Sequence, residues 1–151
     1  MIKLELATIE DSRDIYQWRN DPLTREMSIN TQIIKINVHR KWFNSSLENK
    51  DRHLFMCVDI NKNKIGLVRF DIEGDTALVS INLNPDKRNQ GLAKLCLKES
   101  IIKLQNCSPK IRILKAKIKK INYRSIKTFE GIGFKFHYQH KNICHYEMKL
   151  K

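Results

Sequence analysis

The chain has 151 residues, and 29 Lys or Arg against 16 Asp or Glu leave a formal charge of +13. That length suits one folded unit spanning residues 1–151; no apolar run reaches the ~18 residues of a membrane span. Met1-Ile2-Lys3-Leu4-Glu5 is interrupted by charge where a signal peptide would be apolar, and the four cysteines (Cys57, Cys96, Cys107, Cys144) form neither a C-x-x-C pair nor a zinc pattern.

Widely spaced thiols inside apolar segments fit a reducing, cytoplasmic setting. The positive charge favours anionic partners: a phosphorylated cofactor, a nucleotide-linked substrate or nucleic acid. The chain is also rich in Lys, Ile and Asn, so part of that charge is equally read as a compositional habit.

In chain order, Lys3 to Ala7 alternates as a strand. Thr8 and Asp11 have capping-box spacing. Ile15 and Trp18 then share a helical face that Asn20-Asp21-Pro22 ends. Leu23 to Thr31 has room for a short helix at most. Val38, Trp42, Phe43 and Leu47 mark an amphipathic helix that fades at Asn49-Lys50-Asp51. His53 to Ile60 and Ile65 to Ile72 read as a hairpin about the turn Asn61 to Lys64, and Glu73-Gly74-Asp75 leads into a strand from Ala77 to Leu83.

Asn84-Pro85-Asp86 breaks that strand. After Arg88-Asn89-Gln90-Gly91-Leu92-Ala93 comes a helix on which Ala93, Leu97, Ile101 and Leu104 align, stopping near Asn106 to Pro109. Ile111 to Ile118 reads as a strand with apolar residues at 111 and 113 and onward. Asn122 to Glu130 is a short helix closed by Gly131-Ile132-Gly133. Phe134 to Tyr138 and Ile143 to Met148 are final strands around Lys141-Asn142. The order β-α-α-β-β-β-α-β-α-β-β implies a mixed sheet with helices packed on it.

The strand–loop–helix unit at residues 77–104 has a chemical use. The first amides of a helix lack intrahelical partners, and the macrodipole adds about half a positive charge there. Gly91 and small Ala93 allow an anion to approach, and Arg88 offers a fork for phosphate oxygens. Residues 88–93 therefore read as a pyrophosphate seat, although an ordinary strand-to-helix turn would look similar.

Two motifs together go further. Arg88-Asn89-Gln90-Gly91-Leu92-Ala93 matches Q/R-x-x-G-x-G/A, and Asn122 to Phe134 matches N-x-x-(A/S)-x-x-x-(Y/F)-x-x-x-G-F, with a strand between them. On these motifs and the element order, the chain resembles the GCN5-related N-acetyltransferase (GNAT) superfamily over essentially its whole length. The resemblance implies an α/β (α+β) fold with a mixed, mostly antiparallel sheet of six to seven strands flanked by about four helices. It also implies acetyl-CoA as cosubstrate, no metal and transfer to a primary amine. Trp18-Arg19-Asn20-Asp21, His39 to Phe43, Gly66 to Asp71 and Val79 to Leu83 resemble the branch that acetylates nucleotide-linked amino sugars, of the pseudaminic-acid-pathway type. Ribosomal-protein N-acetyltransferases share part of the Trp-Arg-Asn start.

Carried over by position, Ile81, Asn82, Leu83, Arg88, Asn89, Gln90, Gly91, Leu92, Ala93, Asn122, Ser125 and Phe129 contact the coenzyme, and Trp18, Arg19, Asn20 and Arg69 contact the acceptor. Each has a plainer reading. Trp18, Trp42 and Phe43 suit a core, Arg19 and Asn20 suit a helix end, and Asn122 and Ser125 suit an N-cap. Phe129 stands where the family often has an acid Tyr, so no proton comes from it; Ser125 or water can substitute, or the thiolate can leave unprotonated. Asp71 is the preferred proton acceptor over Glu73, His39 and His53, with Asn122 and Ser125 on the thiol side. Lys119, Lys120 and Lys127 are candidates for the coenzyme 3′-phosphate.

The expected acceptor is a small, anionic amine. Alternatives are peptide N-termini, or a non-catalytic acyl-CoA or nucleic-acid module on the same fold. Whether the chain forms a homodimer is left open.

Overall fold

The computed structural model describes residues 1–151. Five helices and seven strands form in the order β1 (Ile2–Leu6), α1 (Ser12–Asn20), α2 (Pro22–Met27), α3 (Ile36–Glu48), β2 (Arg52–Asp59), β3 (Lys64–Glu73), β4 (Thr76–Leu83), α4 (Leu92–Cys107), β5 (Ile113–Lys119), α5 (Tyr123–Gly131), β6 (Lys135–His140) and β7 (Ile143–Lys149). The strands make one sheet, β1-β2-β3-β4-β5-β7-β6. Only the β4–β5 pairing is parallel. No helix is long and apolar enough to cross a membrane.

The expected fold class and nearly every expected element are present, with one correction. Asn20-Asp21-Pro22 ends α1 as expected, and the short helix allowed after Leu23 begins at once, with Asp21 as its N-cap. Its carboxylate accepts from the Thr24 amide (3.1 Å) and hydroxyl (3.3 Å). Pro22 occupies the first helical position, where a missing N–H costs nothing. The correction is the phase of β5. The amides of Arg112 and Ile113 both donate to the Asp75 carbonyl (2.7 and 3.2 Å), which kinks the entry to the strand. Buried residues then fall at Leu114, Ala116 and Ile118 rather than continuing from Ile113.

Alternation along the strands gives the sheet two unlike faces. On one, Phe55, Cys57, Val68, Phe70, Ala77 and Val79 pack against Cys96, Leu97, Ile101 and Leu104 of α4 and against Phe129 and Phe134, within a core of 19 buried residues. On the other, Leu54, Met56 and Leu67 meet Ile15, Trp18 and Phe43 of α1 and α3 in a core of 8. Register fixes which polar residues share that smaller face. Arg52 stands opposite Asp71, which stands opposite Leu78; Leu54 stands opposite Arg69, which stands opposite Ser80.

Candidate active site

The parallel pairing of β4 with β5 is brief. Thr76, Ala77 and Leu78 pair with Ile113, Leu114 and Lys115, and beyond them the strands part. A cleft of about 880 Å³ opens between them, walled by residues of α1, α2, α3, β3, β4, β5 and α5. The Asn84 amide donates to the Ile65 carbonyl (2.8 Å). Antiparallel alternation from that bond turns the amides of Ile81 and Leu83 away from β3 and toward the gap. The cleft therefore has main-chain donors along its floor.

At one end lies the loop into α4. Asn89 and Gly91 both have positive φ (64° and 71°), a region natural to Gly. Gly91 is the N-cap and no side chain caps the helix, so its first amides are free for an anion. The Leu92 side chain packs on the large core, while Ala93 and Arg88 line the cleft. Gln90 turns back toward the Asp86 carbonyl (3.4 Å).

Arg88 departs from expectation. Its guanidinium is ion-paired to Asp21 and donates to the Thr24 hydroxyl (2.9 Å). It ties the α4 loop to the cap of α2, so only its remaining donors face a ligand. Burial raises the Asp21 carboxyl, but the bonds from Arg88 and Thr24 outweigh burial and hold it below its usual value.

Across the gap, Asn122 caps α5 by accepting from the Ser125 amide (3.2 Å). Asn122 and Ser125 both line the cleft, so capping and ligand contact coexist. Phe129 is 3% exposed and sits edge-on to Phe134 at 5.0 Å, forming an apolar wall. Lys119 and Lys127 line the cleft but Lys120 does not, and Arg124, which the sequence reading passed over, does.

The other end of the cleft lies over the smaller face. Trp42 is half-buried and lines the cavity. The Arg19, Arg69 and Arg52 guanidiniums stand 4.5, 5.5 and 5.7 Å from its ring centre, within cation–π range. Asp71 is clamped between two of them: Arg52 Nε donates to Oδ1 (2.5 Å), and Arg69 Nε lies 3.2 Å from Oδ2. Arg52 also donates to the Ser46 hydroxyl (2.8 Å).

Several expected roles change accordingly. Asp71 does not line the cleft, and its two oxygens are held by Arg52 and by the ion pair with Arg69. Trp18 is 6% exposed and belongs to the smaller core. Asn20 is occupied by the Ile34 backbone, donating to its carbonyl and accepting from its amide, each at 2.8 Å. Neither Trp18 nor Asn20 reaches the cleft, whereas Arg19 and Arg69 do.

The other candidate bases also lie elsewhere. His39 is fully buried, its Nε2 2.9 Å from the Ser12 carbonyl; burial, then the charges of Arg19 and Arg40, push its pKa down against that bond. His53 stacks on Phe55 at 5.8 Å, and burial lowers its pKa too. Glu73 is exposed at the end of β3.

Asn82, expected among the coenzyme contacts, stands out in the structure. Both amide atoms of the Asn82 side chain are buried without a partner, and Asn82 lines the cleft. Asn82 shares its face of β4 with Ser80, opposite the Ala77 and Val79 face that packs in the larger core.

Comparison with known proteins agrees with this geometry. The acetyltransferase (GNAT) domain profile matches residues 2–135. No curated protein sequence matches the chain. Among solved structures, a domain from Methanocaldococcus jannaschii DSM 2661 superposes with a TM-score of 0.86 at 23% identity, covering 99% of each chain. Spermidine N-acetyltransferase from Vibrio cholerae, in complex with CoA and spermine, gives 0.84 at 16%, covering 99% of this chain and 94% of that one. An N-acetyltransferase from Staphylococcus aureus Mu50 gives 0.81 at 22%, covering 100% and 99%. At these identities the likeness speaks for the fold, and the domain match speaks for the family. The chain belongs to the GNAT acetyltransferases and is an acyltransferase that uses acetyl-CoA as cosubstrate.

Proposed function

We propose that the protein acetylates the primary amine of an anionic acceptor, a nucleotide-linked amino sugar. One observation carries this reading. The cleft is lined by seven cationic side chains (Arg19, Arg69, Arg88, Lys117, Lys119, Arg124 and Lys127) and by no Asp, Glu or His. A polyamine, such as the substrate named for the Vibrio cholerae relative, would meet like charge from Arg19 and Arg69, the cations beside Trp42 that are not expected to serve the coenzyme. A diphosphate would meet complementary charge.

The same lining assigns roles. Acetyl-CoA supplies the acyl group as a thioester. The free amides at the start of α4, with Gly91 giving close approach, bind the diphosphate. The amides of Ile81 and Leu83 donate where negative charge develops on the acetyl oxygen. Ser125 offers a hydroxyl to the departing sulfur, the part that Phe129 cannot play. Asn122 orients that helix end.

With no carboxylate or imidazole lining the cleft, the amine gives its proton to water. Surrounding cations disfavour the ammonium form, so the nitrogen is bound as the free amine. The pH dependence of kcat/KM should then follow the amine pKa of whichever acceptor is used. A break at one fixed pH across acceptors of different basicity would instead mean an enzyme base. The decisive experiment is mass spectrometry of products after incubation with acetyl-CoA and a panel of UDP-amino-sugars, spermidine and peptide N-termini. Acetylation of spermidine or peptides in preference to the nucleotide sugars would reject the reading.

A further inference from the structure

Building on acetyl transfer to an anionic amine, we infer that Arg19 and Arg69, braced on Trp42, form a subsite for a phosphate group of the acceptor, with the Asn82 amide holding the amine beside it. The inference begins with an imbalance of charge. Three guanidiniums surround the Trp42 ring, and one carboxylate, Asp71, neutralises them through Arg52 and Arg69. Arg19 makes no ion pair; its polar contact is with His39 Nδ1 at 3.5 Å. His39, whose ring is held at the Ser12 carbonyl, is neutral or cationic and so cannot neutralise Arg19.

The half-buried cluster thus holds two positive charges beyond its own carboxylate, and Arg19 and Arg69 repel each other. Burial, and then that mutual repulsion for Arg19, lowers its affinity for a proton; burial lowers that of Arg69 as well, against the pull of Asp71. A terminal phosphate monoester carries about −1.5 to −2 charges near neutral pH, and the diphosphate of a nucleotide-linked sugar carries about −1 on each phosphate, so either group supplies about two. Either matches the surplus, whereas a carboxylate leaves half of it. Planar guanidiniums fixed against an aromatic ring are pre-organised for such a group.

Register sets the span. Arg69 stands opposite Ser80, and Asn82 lies two residues further along the same face of β4. Diagonal neighbours of that kind are about 7–8 Å apart. The unpartnered Oδ1 and Nδ2 of Asn82 can accept from an amine and donate to a neighbouring hydroxyl. The guanidinium of Arg69 and the Asn82 amide therefore rise from neighbouring positions on one face, so a single small acceptor can meet both.

The test uses two readouts. Inorganic phosphate is titrated calorimetrically into CoA-saturated protein, so that the α4 seat is filled, with tryptophan emission followed in parallel. Wild type should bind phosphate, and Arg19→Gln and Arg69→Lys should each weaken it at least tenfold, with thermal melts confirming that both fold. Acetyl transfer is then compared for an amino-sugar 1-phosphate, the same sugar without phosphate, and glutamate. In wild type the phosphorylated sugar should exceed the unphosphorylated one in kcat/KM by at least tenfold, and that ratio should collapse in both variants.

Equal phosphate affinity in all three proteins, no binding in wild type, or a ratio untouched by the variants would overturn the subsite. Preference for glutamate would overturn the phosphate assignment. Arg19-dependent phosphate binding with no transfer to any amine would uphold the subsite while defeating the proposed acetyl transfer.

Discussion

The two faces of the sheet teach opposite lessons. The face under α4 and α5 is largely apolar, with Phe70, Leu97 and Leu104 at 0% exposure and Ser100 the buried polar residue of α4. The face under α1 and α3 has a core less than half that size, and beside it a layer of arginines, one carboxylate and an unpartnered Asn. One face supplies the cohesion that the other forgoes. Buried unsatisfied groups and like charges are destabilising, so their gathering on the cleft side marks where binding, rather than stability, shaped the side chains.

The largest effect should come from the apolar face. Phe70→Ala removes a fully buried ring packed edge-on to Phe55 at 6.0 Å. Its cost should be about 3–5 kcal/mol, read by denaturant unfolding, and activity should be lost only as far as folding is lost. A loss below about 1 kcal/mol would mean that this face is not the cohesive one.

Asn82→Leu should do the reverse. The amide contributes no hydrogen bond to the fold and carries a desolvation penalty of about 1–3 kcal/mol. Leu should leave stability equal or higher while lowering kcat/KM about 100-fold, the scale of an oriented polar contact in a reacting complex. Stability falling together with activity would return Asn82 to a structural role.

Asp71→Asn falls between these. It withdraws the charge that Arg52 and Arg69 share, at a cost of about 1–3 kcal/mol. The pH dependence of kcat/KM should keep its shape while discrimination for a phosphorylated acceptor weakens. Loss of the acidic limb of the profile would restore Asp71 as the base.

Why some of this was readable in advance and some not follows from the range of the interactions. Most strands, the Gly91 loop and the buried stripe on α4 depend on local pattern and appear where periodicity puts them; β5, whose entry is set by the Asp75 carbonyl, does not keep its expected phase. Asp71 was correctly placed on a strand beside the cleft, but its partner Arg52 lies 19 residues earlier and arrives only through hairpin register. Trp18 and Trp42 look alike in sequence, each on an amphipathic helix. The packing of α1 against α3 sends one into the core and the other to the cleft. Asn20 and Arg88 were read as ligand contacts because their chemistry suits ligands, yet each is engaged by a distant element of the fold, the Ile34 backbone and Asp21. Polar side chains announce a capacity to bond, and tertiary structure decides with what.

The smallest effect tests the far end of the cleft. Asp21 caps α2 and pairs with Arg88, at 20% and 22% side-chain exposure. Asp21→Asn should cost about 1 kcal/mol at neutral pH, between the loss of a cap interaction and that of an exposed ion pair. The sign with pH is fixed. The folded carboxyl titrates below its ordinary value of 3.8, so its contribution is complete above that value and disappears as pH falls through the lower, folded one. The gap between wild type and variant in urea unfolding should therefore be constant from pH 7 to about 5 and narrow below about 4. A gap that persisted unchanged at the lowest pH would mean that the carboxylate makes no pairing specific to the fold. Because this contact anchors the loop at Gly91, the variant should also bind CoA a few-fold more weakly, yet leave the choice between phosphorylated and unphosphorylated acceptors untouched. That separation rests on the contacts: Asp21 holds Arg88 in the loop before Gly91, whereas Arg19 and Arg69 rest on the Trp42 ring and make no contact with Asp21.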